Sequence, residues 1–380
     1  MIGGASARRT GRLLLASLMF LWPSAAAADD LVRVLVAENR ATLTLSNGPF
    51  VVTDLSGRQL IADVFKGAEA HVNRQGNAVL VRETRRSAPA LLVTSRAGIP
   101  VAVDGRPFRG RIEIQPVNGT LAAINLVELE EYLVGVIKDE IPPAWPTEAA
   151  KAMAVAARTY AVYQRVQNPT GLFHLRNTTQ SQMYGGARGE DIRTTLAVQA
   201  TRGQILLFNG QPLAAYYHSC SGGRTENGVE VFGTEFDYLP SVKDDYSLAC
   251  PHALWVERLT ADQIAQALTR AGYPTGRIVS IQEMARSQSG RILRLQVQHA
   301  GGTLIVDSRR FREALGNEVI RSTDFVVRSD GAGFTFVGRG FGHGVGMSQW
   351  GAKEMADLAF HYDEILKFYY PLARIGVWQR

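Results

Sequence analysis

A proline-interrupted stretch from residue 126 to residue 166 constrains the fold more than any other part of the 380-residue chain. Apolar residues recur at helical spacing as far as Ile137, and Pro142-Pro143 then ends the helix because proline lacks the amide hydrogen needed there. Trp145-Pro146-Thr147-Glu148 has the proline and the acid typical of a helix N-terminus. The alanine-rich run that follows lets neighbouring backbones approach closely, which predicts a buried central helix.

Short segments rich in Val, Leu and Thr occupy the chain between residues 31 and 111, and turn sequences such as Asn47-Gly48 separate them. Helical and strand patterns are mixed in the remainder of the chain. We therefore predict an α+β fold, with a β-rich N-terminal lobe followed by a mixed α/β core around the alanine-rich helix. The predicted divisions are the β-rich lobe at 29–110, the core at 111–371 with an α/β subdomain at 259–316, and a C-terminal tail at 372–380.

The first 28 residues have the pattern of a signal peptide. Arg8, Arg9 and Arg12 form a positive segment, an apolar segment follows, and small residues precede Asp29. We expect export to the periplasm, the cell wall or the medium. An uncleaved anchor is the alternative, although the apolar segment is short for a membrane span. No later segment is apolar enough to span a membrane, so no stable span is expected after removal of the leader.

The charge of the chain argues against a nucleic-acid partner. The formal net charge is +6, and loss of the three leader arginines leaves +3. This mildly basic balance suits an anionic cell-wall polymer, but a nucleic-acid-binding protein usually carries a denser basic patch.

The two cysteines, Cys220 and Cys250, are expected to form a disulfide, because paired cysteines are common in exported proteins. A zinc site that also uses His218 and His252 stays open as an alternative, as do two unpaired thiols. No metal or other cofactor is expected under the preferred interpretation.

Glu140 is the candidate general acid. It lies between the end of the first predicted helix and the proline corner, where Ile141, Pro142 and Trp145 supply apolar neighbours. Apolar surroundings raise the pKa of a carboxyl group, which then stays protonated near neutral pH and can donate to a glycosidic oxygen. The structural alternative is a solvated carboxylate at a helix end, beside Asp139.

Three polar segments are further candidates for a ligand-binding cleft. They are the glycine-rich stretch 338–351, which contains His343, the segment 218–223 (HSCSGG) after a predicted strand, and the loop 178–184. Each has a structural alternative, respectively a tight turn with a core histidine, a turn after a hairpin and a surface loop. The residues predicted to contact substrate are Arg158, Gln182, Tyr184, His218, Ser219, His343, Ser348 and Gln349.

At these positions the chain resembles the SpoIID/LytB family of exported cell-wall proteins, which includes the sporulation peptidoglycan-cleaving protein and the amidase enhancer. The matching segments occur in the family's order over roughly residues 110 to 371. They are LEEYLVGVIKDEIPPAWPTEAAKAMAVAARTYAV, SQMYGG, AAYYHSCSGGRTENGVEVFG, YLPSVKD, FVGRGFGHGVGMSQWGAKEMA and EILKFYYP.

The resemblance implies a lytic transglycosylase acting on peptidoglycan glycan strands, with Glu140 in the place of the family's catalytic glutamate. It also implies a groove with the His343 loop as its opposite wall, and a cell-wall amidase as a partner. The alternative is a non-catalytic wall-binding protein that enhances such an amidase. Some family members bind zinc through a loop cysteine, but Ser181 stands at that position here and only His174 is left as a ligand, so the resemblance does not extend to that site.

Overall fold

A computed structural model describes residues 31–65 and 67–378. The predicted leader lies outside these residues. Within them, no helix is long and apolar enough to cross a membrane. Helices and mixed sheets follow a β-rich N-terminal region, which confirms the predicted α+β class.

Twelve strands precede the first helix of the described chain. They are β1 (Leu31–Arg40), β2 (Thr42–Ser46), β3 (Phe50–Asp54), β4 (Gln59–Val64), β5 (Ala70–Gln75), β6 (Ala78–Val81), β7 (Arg86–Ala88), β8 (Leu91–Ser95), β9 (Val101–Val103), β10 (Arg106–Phe108), β11 (Arg111–Val117) and β12 (Thr120–Glu128).

The elements that follow are mostly helical at first and then mixed. They are α1 (Leu129–Glu140), α2 (Thr147–Gln167), β13 (Leu175–Arg176), α3 (Ile192–Ala200), β14 (Gln204–Phe208), β15 (Gln211–Pro212), β16 (Tyr217–His218), α4 (Gly228–Phe232), β17 (Trp255–Leu259), α5 (Ala261–Arg270), β18 (Ile278–Arg286), β19 (Ile292–His299), β20 (Gly302–Asp307), α6 (Ser308–Leu315), β21 (Phe325–Ser329), β22 (Phe334–Gly338), β23 (Met347–Ser348), α7 (Gln349–Asp357), α8 (Tyr362–Tyr369) and β24 (Arg374–Val377).

The N-terminal lobe consists of two sheets. One has the strand order β13-β1-β12-β11-β8-β3-β4 and the other has the order β10-β9-β2-β5-β6-β7. Strand β11 pairs with β8 and β12 pairs with β1, so the first sheet continues to Glu128. This sheet therefore extends beyond the predicted boundary at residue 110, because β12 pairs with β1 at the start of the described chain.

Helices α1 and α2 and the corner between them support the site. The first helix begins at Leu129 rather than at 126, since residues 126–128 complete β12. It ends at Glu140, and the amide of Trp145 then donates to the carbonyl of Pro142 at 3.0 Å, which closes the corner. The predicted alanine-rich helix is α2, and its segment from Ala149 to Val162 is buried except for one lysine.

A second hydrophobic core lies in the C-terminal half of the chain. Its buried side chains come from residues 255–336, and they are distinct from the cluster that joins the N-terminal lobe to α1 and α2. Helix α5 covers one side, and the Thr260 hydroxyl caps it by accepting from the amide of Gln263. The predicted α/β subdomain at 259–316 corresponds to the middle of this unit, which also includes β17, β21 and β22.

Candidate active site

Glu140 lies where three separate segments of the chain meet. Its Oε1 accepts a hydrogen bond of 2.7 Å from the backbone amide of Met183. The Nε2 atom of Gln349 contacts both Oε2, at 3.3 Å, and the backbone oxygen of Glu140, at 3.2 Å. The hydroxyl of Tyr217 forms another hydrogen bond to the carboxylate. Glu140 therefore has a defined position in spite of lying at a helix end.

Burial dominates the electrostatics of this carboxyl group. Desolvation raises the pKa of Glu140 from its ordinary value of 4.5 to about 7, although hydrogen bonds from Met183, Tyr217 and Gln349 oppose the rise. The neighbouring charge of Asp139 adds to the rise. The residue is half-buried, so part of it still reaches solvent. Near neutral pH both protonation states are populated, which suits a group that first donates a proton and then accepts one.

Gln182 and Tyr132 lie behind the carboxylate, and both are fully buried. The Nε2 atom of Gln182 donates to the hydroxyl of Tyr217 and to the backbone oxygen of Ala157, each at 3.1 Å. Its Oε1 accepts from the hydroxyl of Tyr132 at 2.9 Å. The structure thus places Gln182 one residue removed from Glu140, which it reaches through Tyr217.

Tyr184 packs against helix α1. It is only 2% exposed, and its hydroxyl donates to Oδ1 of Asn125 at 2.7 Å. Its ring packs against Tyr132 with the two centroids 4.9 Å apart. A Cβ atom at Gly135 would lie 2.6 Å from the ring, so the glycine permits this close packing.

The glycine-rich segment reaches Glu140 through Gln349. Strand β23 pairs in parallel with β16, which sets Met347 beside Tyr217 and Ser348 beside His218. Ser348 is fully buried and caps α7, since its hydroxyl accepts from the amide of Gly351 at 3.2 Å. Capping and strand pairing together hold Gln349, the first residue of α7, against the end of α1.

Two half-exposed tryptophans flank the same junction. The ring centroids of Trp145 and Trp350 are 5.0 Å apart in an edge-on arrangement. The amide of Trp350 donates to the backbone oxygen of Ser219 at 3.1 Å. Ser219, which was predicted to contact substrate, therefore helps to hold Trp350 through its main chain. The ammonium of Lys353 lies 5.8 Å from the centroid of Trp350. Aromatic rings of this kind stack well on sugar rings.

His218 and His343 lie beside one another, with ring centroids 5.6 Å apart. His218 is buried and its Nδ1 donates to the backbone oxygen of Val345 at 3.1 Å, while Nδ1 of His343 accepts from the amide of the same residue at 3.1 Å. Burial lowers the pKa of His218 and brings that of His343 to about 3, so both are neutral. Of the glycine-rich segment's predicted residues, Gln349 contacts Glu140, and His343 packs against Tyr216 and Phe232.

Arg158 lies in the core, away from this junction, and its side chain has no solvent exposure. It binds Glu130 through two hydrogen bonds of 2.8 Å, from Nε and from Nη2. It also donates to the backbone oxygens of Val198 and Gln204, each at 3.1 Å. These contacts join α1, α2 and α3.

Cys220 and Cys250 form a disulfide with their Cα atoms 6.4 Å apart. Neither thiol is then available as a metal ligand, so the alternative zinc set with His218 and His252 is wrong for this oxidised chain. Across residues 31–65 and 67–378, no group of three or more potential metal ligands is present. In the loop that resembles the family's zinc site, Nδ1 of His174 accepts from the amide of Arg33 at 3.2 Å.

Sequence comparison places these contacts in a family. A family model described as "Stage II sporulation protein" matches residues 117–208, which include Glu140 and Gln182. Stage II sporulation protein D of Bacillus subtilis is 33% identical over 275 residues, covering 67% of this chain and 76% of that protein. The chain belongs to the SpoIID family. The resemblance in the sequence is thereby confirmed.

Other relatives extend the comparison beyond residue 208. An uncharacterized protein of Brachyspira hyodysenteriae is 30% identical over 346 residues, which are 90% of this chain and 92% of that protein. The amidase enhancer of Bacillus subtilis is 31% identical over 284 residues, 63% of this chain but only 39% of the enhancer. A second family model, a domain of unknown function, matches residues 251–346 and so coincides with the second hydrophobic core.

Sequence reasoning missed Tyr217, Tyr132 and the amide of Met183. Met183 acts through its backbone, which no side-chain pattern reveals. Tyr217 adjoins the predicted His218, and only the contacts in the folded chain show that Tyr217 faces Glu140 whereas His218 faces the backbone of Val345. Tyr132 lies within the predicted first helix, and no pattern in the sequence marked it out there.

Proposed function

We propose that this SpoIID-family protein is an exported lytic transglycosylase, which cleaves the bond between N-acetylmuramic acid and N-acetylglucosamine in peptidoglycan. The observation that carries the proposal is the environment of Glu140. A pKa of about 7 leaves this carboxyl partly protonated at neutral pH, whereas an exposed glutamate would be almost fully ionised.

In the proposed reaction Glu140 acts first as an acid. Its proton passes to the glycosidic oxygen, the bond from that oxygen to C1 of the muramic sugar breaks, and N-acetylglucosamine leaves with a free hydroxyl. The carboxylate that remains accepts hydrogen bonds from the amide of Met183 and from Gln349. These donors lower the pKa of Glu140, so they stabilise the anion formed by this step.

Glu140 then acts as a base. Its carboxylate takes the proton of the C6 hydroxyl of the muramic sugar, and the C6 oxygen bonds to C1. A 1,6-anhydro ring results, the acid is regenerated and no water is consumed. One carboxyl group suffices for both steps, unlike the paired carboxylates of most glycoside hydrolases. Trp145 and Trp350 supply aromatic surface for the sugars beside the acid.

The second candidate function is that of a non-catalytic protein that binds glycan strands and stimulates an N-acetylmuramoyl-L-alanine amidase. The similarity to the amidase enhancer favours it. In this alternative the same surface beside Glu140 binds the wall but leaves the glycosidic bonds intact.

Incubation of the leaderless chain with purified glycan strands tests the two functions. Intact and peptide-stripped strands are both needed, and mass spectrometry detects 1,6-anhydro ends. We expect the wild type and a Glu148→Gln control to produce these ends, and Glu140→Gln to produce none. Glu148 lies across the proline corner and binds Lys151 rather than the site, so it matches the substitution without touching the acid. Stimulation of an amidase without 1,6-anhydro ends would favour the enhancer.

A further inference from the structure

Gln182 has an orientation that its buried neighbours determine completely. Its Nε2 atom lies 3.1 Å from the backbone oxygen of Ala157, which can only accept a hydrogen bond. The amide nitrogen must therefore face Ala157, and the amide oxygen must face the hydroxyl of Tyr132, which donates to it at 2.9 Å. A reversed amide would set two acceptors against each other at Ala157, so the contacts exclude it.

This orientation sets the direction of the proton on Tyr217. The second hydrogen of Nε2 points to the hydroxyl oxygen of Tyr217, 3.1 Å away, so that oxygen is an acceptor in this contact. A phenol has a single hydrogen to donate. With Gln182 occupying one side as a donor, the hydrogen of Tyr217 is free for the other contact of this hydroxyl, which is the carboxylate of Glu140.

We propose that Gln182 is a positioning residue, which directs the hydroxyl proton of Tyr217 to the carboxylate of Glu140. The chain of contacts runs from the backbone of α2 through Gln182 and Tyr217 to the end of α1. This inference rests on the proposed function, since it gives the relay the task of stabilising the Glu140 anion between the two proton transfers. A network of this kind polarises each successive donor, which strengthens the last hydrogen bond.

The other groups around Glu140 do not supply the same contact. The amide of Met183 and the side chain of Gln349 donate to the carboxylate from other segments of the chain. Asp139 precedes it and disfavours the anion, and the charges of Lys138 and Arg106 act on Asp139 in turn. Tyr132 is buried with its hydroxyl committed to Gln182. Tyr217 is thus the contact through which Gln182 reaches Glu140.

Titration of Glu140 by carbon-13 NMR tests the relay in the absence of substrate. The leaderless chain labelled in glutamate carboxyls is used, and Glu140→Gln identifies the resonance by removing it. We expect Tyr217→Phe to raise the pKa of Glu140 by about one, the size expected for losing one hydrogen bond to a charged acceptor. Gln182→Met is expected to raise the pKa in the same direction.

The double variant decides whether Gln182 acts through Tyr217. Addition of Gln182→Met to Tyr217→Phe is expected to cause no further rise, because the proton that Gln182 directs is already absent. An unchanged pKa in Gln182→Met, or an equal further rise in the double variant, would overturn the proposal.

A second variant guards against unfolding. Gln182→Met leaves the hydroxyl of Tyr132 without a partner, whereas the oxygen of Ala157 lies within α2 and keeps its helical environment. Combination with Tyr132→Phe removes the orphaned hydroxyl and should be better tolerated. Tyr132→Phe alone is the control, and it should raise the pKa of Glu140 less than Gln182→Met does, because the oxygen of Ala157 still orients the amide of Gln182. Because no substrate is present, a protein without cleavage activity refutes the proposed function and leaves this result standing.

Discussion

Replacement of Glu140 by glutamine is expected to stabilise the fold at alkaline pH and not at acid pH. Glutamine has nearly the same shape as glutamate but stays neutral throughout. Desolvation raises the pKa of Glu140 from 4.5 to about 7, which means that the folded chain prefers this carboxyl in its protonated form. Between these two values the folded state holds a proton that the unfolded state releases.

The sign of the pH dependence follows from this difference. Stability falls wherever the folded state binds more protons than the unfolded state and the pH rises. The contribution of Glu140 to the free energy of unfolding is therefore fully present below pH 4.5, declines as the pH rises and is lost above about pH 7. Glu140→Gln lacks this decline, so its advantage over the wild type should be absent near pH 4.5 and largest near pH 8.

The pKa rise sets the size of the effect. At about 1.4 kcal/mol for each pKa unit, the rise from 4.5 to about 7 corresponds to about 3.5 kcal/mol. Because Glu140 is half-buried and accepts hydrogen bonds that glutamine matches poorly, we expect about 2–3 kcal/mol at pH 8. For the roughly 350 residues that the structure describes, this free energy corresponds to an increase in Tm of about 3–4 °C.

Differential scanning calorimetry of both proteins between pH 4.5 and pH 8.5 measures this difference. Glu148→Gln is the matched control. The hydrogen bonds from Lys151 and from the amide of Tyr362 hold the pKa of Glu148 below its usual range, so this variant should be less stable than the wild type at pH 8. Parallel Tm curves for the wild type and Glu140→Gln would refute the argument that Glu140 is held in its protonated form.

Three other outcomes follow from the structure. The rate at which the wild type forms 1,6-anhydro ends should fall about tenfold per pH unit well above pH 7, because protonated Glu140 is depleted. A mass-spectrometric time course measures this rate, and a rate that stays the same between pH 7 and pH 9 would contradict the expectation. Arg158→Met should lower stability by about 3–5 kcal/mol, or Tm by about 4–7 °C. The reason is that the carboxylate of Glu130, whose side chain is only 15% exposed, loses its charged partner. The exposed Arg193→Met is its control, and a normal Tm with lost glycan binding would instead assign Arg158 to substrate. Replacement of Cys220 and Cys250 by two alanines should lower the free energy of unfolding by about 3–4 kcal/mol, because the disulfide no longer restricts a loop of 30 residues in the unfolded chain. A Tm equal to that of the oxidised wild type would contradict this.

Local patterns in the sequence were sufficient for the elements around the site. Proline chemistry predicted the corner after Glu140, and the run of alanines predicted the buried helix α2. The cap of α5 is equally local, since Thr260 accepts from an amide three residues later. These features depend on residues within one or two helical turns of each other, so the order of the residues already contains them.

The boundary between the N-terminal lobe and the core could not be predicted from local patterns. Strands β11 and β12 are rich in apolar residues, but those residues do not say which sheet the strands join. Pairing with β8 and β1 decides it, and β1 lies about ninety residues earlier in the chain. Hydrogen bonds between strands are indifferent to sequence separation, so the local patterns did not show that this sheet continues to Glu128.

The sequence alone determined that Glu140 stands at a proline corner, and resemblance to a family made it the candidate acid. Only the tertiary structure decided what surrounds its carboxyl group. Met183, Tyr217 and Gln349 come from three segments between 43 and 209 residues away, and Gln182 lies behind one of them. The pKa of a carboxyl group depends on desolvation and on donors in space. The corner at residues 140–146 therefore indicated where an acid could lie, and the packing of distant segments against it made that acid half-protonated near neutral pH.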